Sequence, residues 1–158
     1  SHAEGKATVA NGYFAHAEGE LTTASEEAAH AEGRSTTASG YYSHAEGYFT
    51  KASGNYSHAE GYFTTAFGQS SHAEGLGTNK CPEEIANGTL EQIVQSWTTT
   101  KFPLAKGDGA HVEGKDNLAI GARNHAEGFY TQAIGNYDSH AEGNSTIASG
   151  VMSHAEGY

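Results

Sequence analysis

Apolar and polar residues alternate along most of this chain, and the apolar places are filled almost entirely by Ala. In Ser43-His44-Ala45-Glu46-Gly47 and Thr50-Lys51-Ala52-Ser53-Gly54, the Ser or Thr, the Ala and the Gly share one face of an extended segment. The intervening residues share the other. Each five-residue unit predicts a short strand, and the two residues after its Gly predict a turn. A helix is excluded, because a Gly every seven residues would cost about 1 kcal/mol each. The pattern returns in phase from His16 to His30, His44, His58 and His72, so two strands and two turns make one fourteen-residue coil. Coils of this kind stack through parallel backbone hydrogen bonds at about 4.8 Å. The expected fold is all-β: a flattened parallel β-roll, or solenoid, with an interior of Ser, Thr, Ala and Gly. Gly is expected to supply positive φ at the turns. Glu26 stands where other halves carry Gly, so a strained left-handed backbone or an altered turn is expected there.

Ten H-x-E-G motifs mark the period, and two of their steps are irregular. The step from His72 to His111 is far too long, and the step from His125 to His140 exceeds the period by a single residue. Residues 103–109 fit the second-half pattern in frame, directly before Ala110-His111, so the coil begun at Ser71 closes there. The chain then divides into β-roll repeats over 1–77, a helical insertion over 78–102, and repeats continuing the same roll over 103–158. Within the insertion, Leu90, Ile93, Val94 and Trp97 recur at helical spacing. Thr89 and Gln92 have capping-box spacing, and Pro82 opens a shorter helix ended by Asn87-Gly88. The step to His140 places its extra residue in the turn Asn136-Tyr137-Asp138, read as a bulge.

Composition changes the picture in one respect. Ile, Leu, Val and Phe number 20 of 158 residues at a net charge of −11, values that ordinarily mark disorder. The repeat accounts for them, because a narrow interior has no room for large side chains. With 8 Lys and Arg against 19 Asp and Glu and no basic stripe, nucleic acid is not an expected partner. One Cys precludes an intrachain disulfide framework. No apolar run reaches membrane-spanning length, so this segment is not expected to insert in a membrane. Both ends lie in phase with the repeat, which reads as an excerpt of a longer chain.

Strand motifs of this kind resemble the heads of YadA-like trimeric autotransporter adhesins, whose S-V-A-I-G unit S-H-A-E-G mirrors with His and Glu in place of two apolar residues. Asn117-Leu118-Ala119-Ile120-Gly121 is nearer the family form, although in the second strand. The alternation of S-H-A-E-G with T-x-A-S-G also resembles the repeat region of phage tail-fibre or appendage proteins. The resemblance covers residues 1–77 and 103–158. It implies a left-handed roll, a homotrimer and an attachment role.

The His and Glu of each motif project from one strand face. Stacking makes a ladder of His2, Glu4, His16, Glu18, His30, Glu32, His44, Glu46, His58, Glu60, His72, Glu74, His111, Glu113, His125, Glu127, His140, Glu142, His154 and Glu156. In the resembling family these places face the trimer axis. Carboxylates about 4.8 Å apart would repel by roughly 3–4 kcal/mol at an effective dielectric of 20. Protonated or hydrogen-bonding His beside each Glu is the expected compensation. Pairing across a trimer seam would raise the His pKa and lower that of Glu, while burial acts the other way by favouring neutral His. A metal ligand set is not expected: an ion at every layer is implausible and no second set of ligands is visible. Ten equivalent pairs without a distinct nucleophile describe a scaffold rather than an enzyme, and no cofactor is expected.

Most aromatics lie in the two turn places after Gly. Tyr41, Tyr42, Tyr48, Phe49, Tyr62, Phe63, Phe129 and Tyr130, together with Trp97 of the insertion, are candidate surface contacts. The expected function is a structural and binding segment of a trimeric extracellular or virion fibre, attaching to a glycan or protein receptor on a cell surface. The head of a bacterial surface adhesin is the first alternative. An ice-binding solenoid is the second, opposed by Lys51, Phe67, Lys106 and Ile134, which interrupt any flat Thr array.

Overall fold

The computed structural model describes residues 1–158. It is a parallel β-solenoid whose coil matches the sequence period, each coil giving one strand to each of two sheets. The first sheet has ten strands, from His2–Lys6 to His154–Gly157, and holds every H-x-E-G motif. The second has nine, from Val9–Ala10 to Ile147–Ala148. Pairing is parallel and in register: His2 stands beside His16, Glu4 beside Glu18 and Gly5 beside Gly19. The register survives the long step, with His72 beside His111 and Thr65 beside Leu104.

Alternation decides which side chains enter. The core between the sheets comprises 19 buried residues, all of them Ala except Val112. Ser and Thr of the strand starts complete it, among them Thr22, Thr36, Ser43 and Thr50. Side chains this short bury little area each. The backbone ladder and the repetition of coils therefore carry much of the fold, as in other stacked repeats.

The glycines act differently from expectation. Gly47 has φ of 105°, yet Gly54, in the equivalent place of the other half, has no positive φ. Positive φ falls instead on the second residue after Gly, at Tyr42, Phe49, Tyr56 and Phe63 among others. What both kinds of Gly share is proximity to the next coil. A Cβ on Gly47 would lie 2.3 Å from the Gly61 carbonyl oxygen, and one on Gly54 would lie 1.9 Å from that of Gly68. The absence of a side chain, more than conformational freedom, is what the stacking requires. Glu26 likewise has no positive φ and keeps the ordinary turn bond, Ala29 N–H donating to its carbonyl at 3.2 Å. The strained backbone expected there is not found.

Between the first-sheet strand His72–Ala73 and the second-sheet strand Leu104–Ala105 lie two helices, α1 (Glu83–Ala86) and α2 (Leu90–Thr99). Thr89 and Gln92 form a reciprocal capping box at the start of α2, and Pro82 is the N-cap of α1. Ile93 and Trp97 of α2 bury against Phe102, Leu104 and Leu118, with Ile120 and Ile134 at the margin. The helices thus cover the outer face of the second sheet. Lys51 pairs with Glu83 at 2.9 Å, and Thr78 is held by both carboxylate oxygens of buried Asp116.

Candidate functional site: a histidine and glutamate ladder

The in-register first sheet brings all ten motif His into one column and all ten motif Glu into another. From His16 to His154, successive imidazole centroids are 4.7–4.9 Å apart, and the planes of His111 and His125 differ by 2°. The spacing is that of the strands themselves. Within single motifs, Nε2 of His72 and His125 lies 3.4 Å from Oε2 of Glu74 and Glu127. For His58, His111 and His140 the corresponding separation is 3.8 Å. Carboxylates of the preceding coil also approach: Glu32 lies 3.6 Å from His44, and Glu142 lies 3.7 Å from His154. About a third of each interior His and Glu side chain remains exposed. Beside the columns, the Glu and Gly residues line an open groove of about 920 Å³ with no apolar residue in its wall.

Within a single chain, burial acts against protonated His. His30, His44, His72 and His111 are held below the ordinary imidazole value, first by burial and next by a neighbouring His. Glu32 is pushed up to about 7, chiefly by a hydrogen bond shared with Glu46 and then by burial. Glu60 is also raised, chiefly through Glu46, while Glu46 between them is lowered by the bonds it receives from Glu32 and Glu60. Proton sharing among Glu32, Glu46 and Glu60 relieves repulsion in that stretch, and neutral imidazole is favoured at His30, His44, His72 and His111. At these four His the charged form is disfavoured first by burial and then by the like ring of an adjacent coil.

The candidate contact aromatics separate into three groups. Tyr41, Tyr42, Tyr62 and Phe129 are exposed, whereas Tyr48, Phe49, Phe63 and Tyr130 are half-buried. Several stack along the coil edges, Tyr48 on Tyr62 at 4.9 Å and Tyr42 on Tyr56 at 5.5 Å. Trp97 does not belong with them. It is 2% exposed, its indole N–H donates to the Phe102 carbonyl at 2.9 Å, and Lys101 lies over its ring at 3.5 Å. Its contact is with the roll beneath it, not with an outside partner. Tyr13 and Phe14, in the same two turn places as the candidates, are more open than any of them, at 81% and 80%. The next coil has Glu27-Ala28 at the same turn, so no ring covers them. Cys81, the one thiol, is buried and pushed up to about 12 by that burial, so it is no nucleophile.

Residues 59–78 match the family model of the YadA head domain repeat, in two copies. That stretch carries YadA-type head repeats. The matched stretch runs from the strand His58–Ala59 through the coil of Thr65–Ala66 and His72–Ala73, so it lies inside the ladder. YadA head repeats are a structural, adhesin-type module rather than an enzymatic one. No curated protein matches the chain. No helix is long and apolar enough to cross a membrane.

Proposed function

We infer that this chain is a stretch of a homotrimeric, extracellular adhesin-type fibre used for attachment to a glycan or protein on a cell surface. One observation carries the reading: a ten-strand polar face, repeating coil after coil, belongs to a roll that carries YadA head repeats. A roll with an Ala interior gains little from burial of its own side chains. Three left-handed rolls with their His–Glu faces turned to a common axis would add inter-chain burial and hydrogen bonds, and would fix the register of the chains. In such a trimer the roll over 1–77 and 103–158 is the shaft, and the 78–102 insertion lies on its outer side with the exposed aromatic turns. The YadA repeat favours a bacterial cell-surface adhesin. The strict S-H-A-E-G alternation supports a virion tail fibre as the second reading. Ice binding is disfavoured further, since α1 and α2 occupy the second-sheet face that ice would need.

Analytical sedimentation at micromolar concentration tests the assembly, with an expected mass of three times 16.5 kDa. A folded monomer over that range would sink the axial arrangement. Attachment is tested by binding of the assembled fibre to glycan arrays and to intact cells. Loss of binding is expected for Tyr13→Ala combined with Phe14→Ala if the open turns make the contact.

A further inference from the structure

We propose that the ladder is a row of binding sites for a divalent transition metal, each made by one His and two Glu from adjacent coils. The Nε2 atoms of His44, His58 and His72 are inaccessible to solvent and have no hydrogen-bond partner. The same holds for His30, His111, His125 and His140. Where carboxylates approach these nitrogens, they stand too far off for a good hydrogen bond. His44 Nε2 lies 3.6 Å from a Glu32 oxygen and 3.8 Å from a Glu46 oxygen. Glu46, His58 and Glu60 present one ligand atom each within 4.8 Å of one another, as do Glu60, His72 and Glu74.

These separations suit an ion better than a proton. A tetrahedral zinc centre with bonds of about 2.0–2.1 Å has ligand atoms about 3.4 Å apart. The His–Glu gaps of 3.4–3.8 Å need to contract only slightly around it. Two stacked His with one Glu also come within 4.8 Å of one another, as at His30, Glu32 and His44, but their rings, held 4.7 Å apart, must turn to share one ion. The second protein ligand is the carboxylate of the previous coil, which the in-register stack delivers and the linear motif conceals. One nitrogen, two oxygens and a water complete four-coordination. Two carboxylates neutralise the ion, and the ion removes the repulsion between them.

Occupancy of every coil is excluded by charge, because divalent ions one strand spacing apart repel four times as strongly as unit charges would. Alternate coils double the distance. The expected load is therefore about one ion for every two coils. Zinc is favoured over magnesium, since imidazole and a small, flexible four-ligand site suit the former. The inference stands on a single chain's ladder and does not depend on trimer formation.

The test uses the full chain, stripped with chelator and then dialysed against zinc, with bound metal counted by elemental analysis. About one zinc per two coils is expected to remain, and magnesium is expected to wash out. Cobalt(II) in place of zinc should give the intense visible bands of tetrahedral coordination. A weak octahedral spectrum, or zinc lost on dialysis, overturns the proposal without variants. The triple substitution Glu46→Gln, Glu60→Gln and Glu74→Gln removes a ligand from four consecutive coils and should release about two zinc ions per chain while circular dichroism stays unchanged. An unchanged zinc count in that folded variant, or equal binding by the chain in urea, also overturns it. Sedimentation of the same samples separates this result from the trimer: a metal-loaded monomer sinks the assembly and leaves the ladder sites standing.

Discussion

Asn124 closes the one irregular coil for Ser139. In the regular coils, the residue that starts the first-half strand donates its backbone N–H to the Gly carbonyl three residues back, as Ser57 does to Gly54 at 3.2 Å. The extra residue in the 136–138 turn removes that bond from Ser139. Asn124, one coil earlier, supplies both halves of the lost pair: its Oδ1 accepts from Ser139 N–H at 3.0 Å, and its Nδ2 donates to the Gly135 carbonyl at 2.7 Å. The turn itself is held by Arg123, whose guanidinium grips both carboxylate oxygens of Asp138 at 2.7 and 2.9 Å.

Asn124→Ala should therefore destabilise the roll by about 2–3 kcal/mol, since buried backbone groups lose their partners. Urea unfolding measures it. Asn124→Ser is expected to be almost as harmful here, although Ser fills the same place in other coils. Removing one residue from the 136–138 turn in the Asn124→Ser background should restore much of the loss. No recovery would show that the carboxamide serves the core rather than the long turn.

Gly54→Ala and Gly47→Ala should each cost at least about 3 kcal/mol, from overlap with the next coil's carbonyl. The comparison is informative because only Gly47 has positive φ. Equal losses in thermal melts are expected if close stacking dominates. A mild effect at Gly54 with a severe one at Gly47 would return the weight to backbone conformation.

Much of this architecture was legible in the sequence, because every coil repeats the same three small inward residues and the His marks the phase. The capping box of α2 was legible for a similar local reason: Thr89 and Gln92 are three apart and act on each other. Leu118 was not. Alternation puts it on the outer face of its strand, where a large apolar residue has no evident partner, and only the stacked coils show that α2 covers that place. The motif also showed each His beside its own Glu, but not the second carboxylate from the coil before. Nor did it show how strongly burial favours neutral imidazole at His44 and His72. Contacts between coils join residues a full period apart, as His44 joins Glu32 and His58, beyond what a reading of single motifs reveals.

Trp97→Ala should release the insertion while leaving the roll folded. The change empties the centre of the small outer core and removes the indole bond to Phe102, an effect of about 3–5 kcal/mol on that unit. Proteolysis is expected to cut within 78–102, with amide protection retained in the strands on either side. Loss of protection throughout both sheets would mean that the helices are integral to the roll.

Glu32→Gln should stabilise the metal-free protein at high pH and not at low pH. The folded pKa of Glu32, about 7, lies above the ordinary 4.5, so its protonated form is the one the ladder favours. Its contribution is fully present below about 4.5 and is lost as pH rises through about 7. Gln mimics the protonated carboxyl, donating to Glu46 without a charge to lose. For this part-exposed group, screening reduces the gain at pH 8 to about 1 kcal/mol, and the gain should vanish by about pH 4.5. The lowered His values act in the opposite sense. Their contribution is complete above the ordinary 6.5 and is lost as pH falls through the depressed folded values. Thermal melts from pH 4 to 9 in chelator, wild type against Glu32→Gln, isolate the carboxylate because the His slope is common to both. Proton NMR of the imidazoles should place the midpoints of His44 and His72 below 6.5. Midpoints above that value, with Glu32→Gln no more stable at pH 8, would restore the ion-paired ladder.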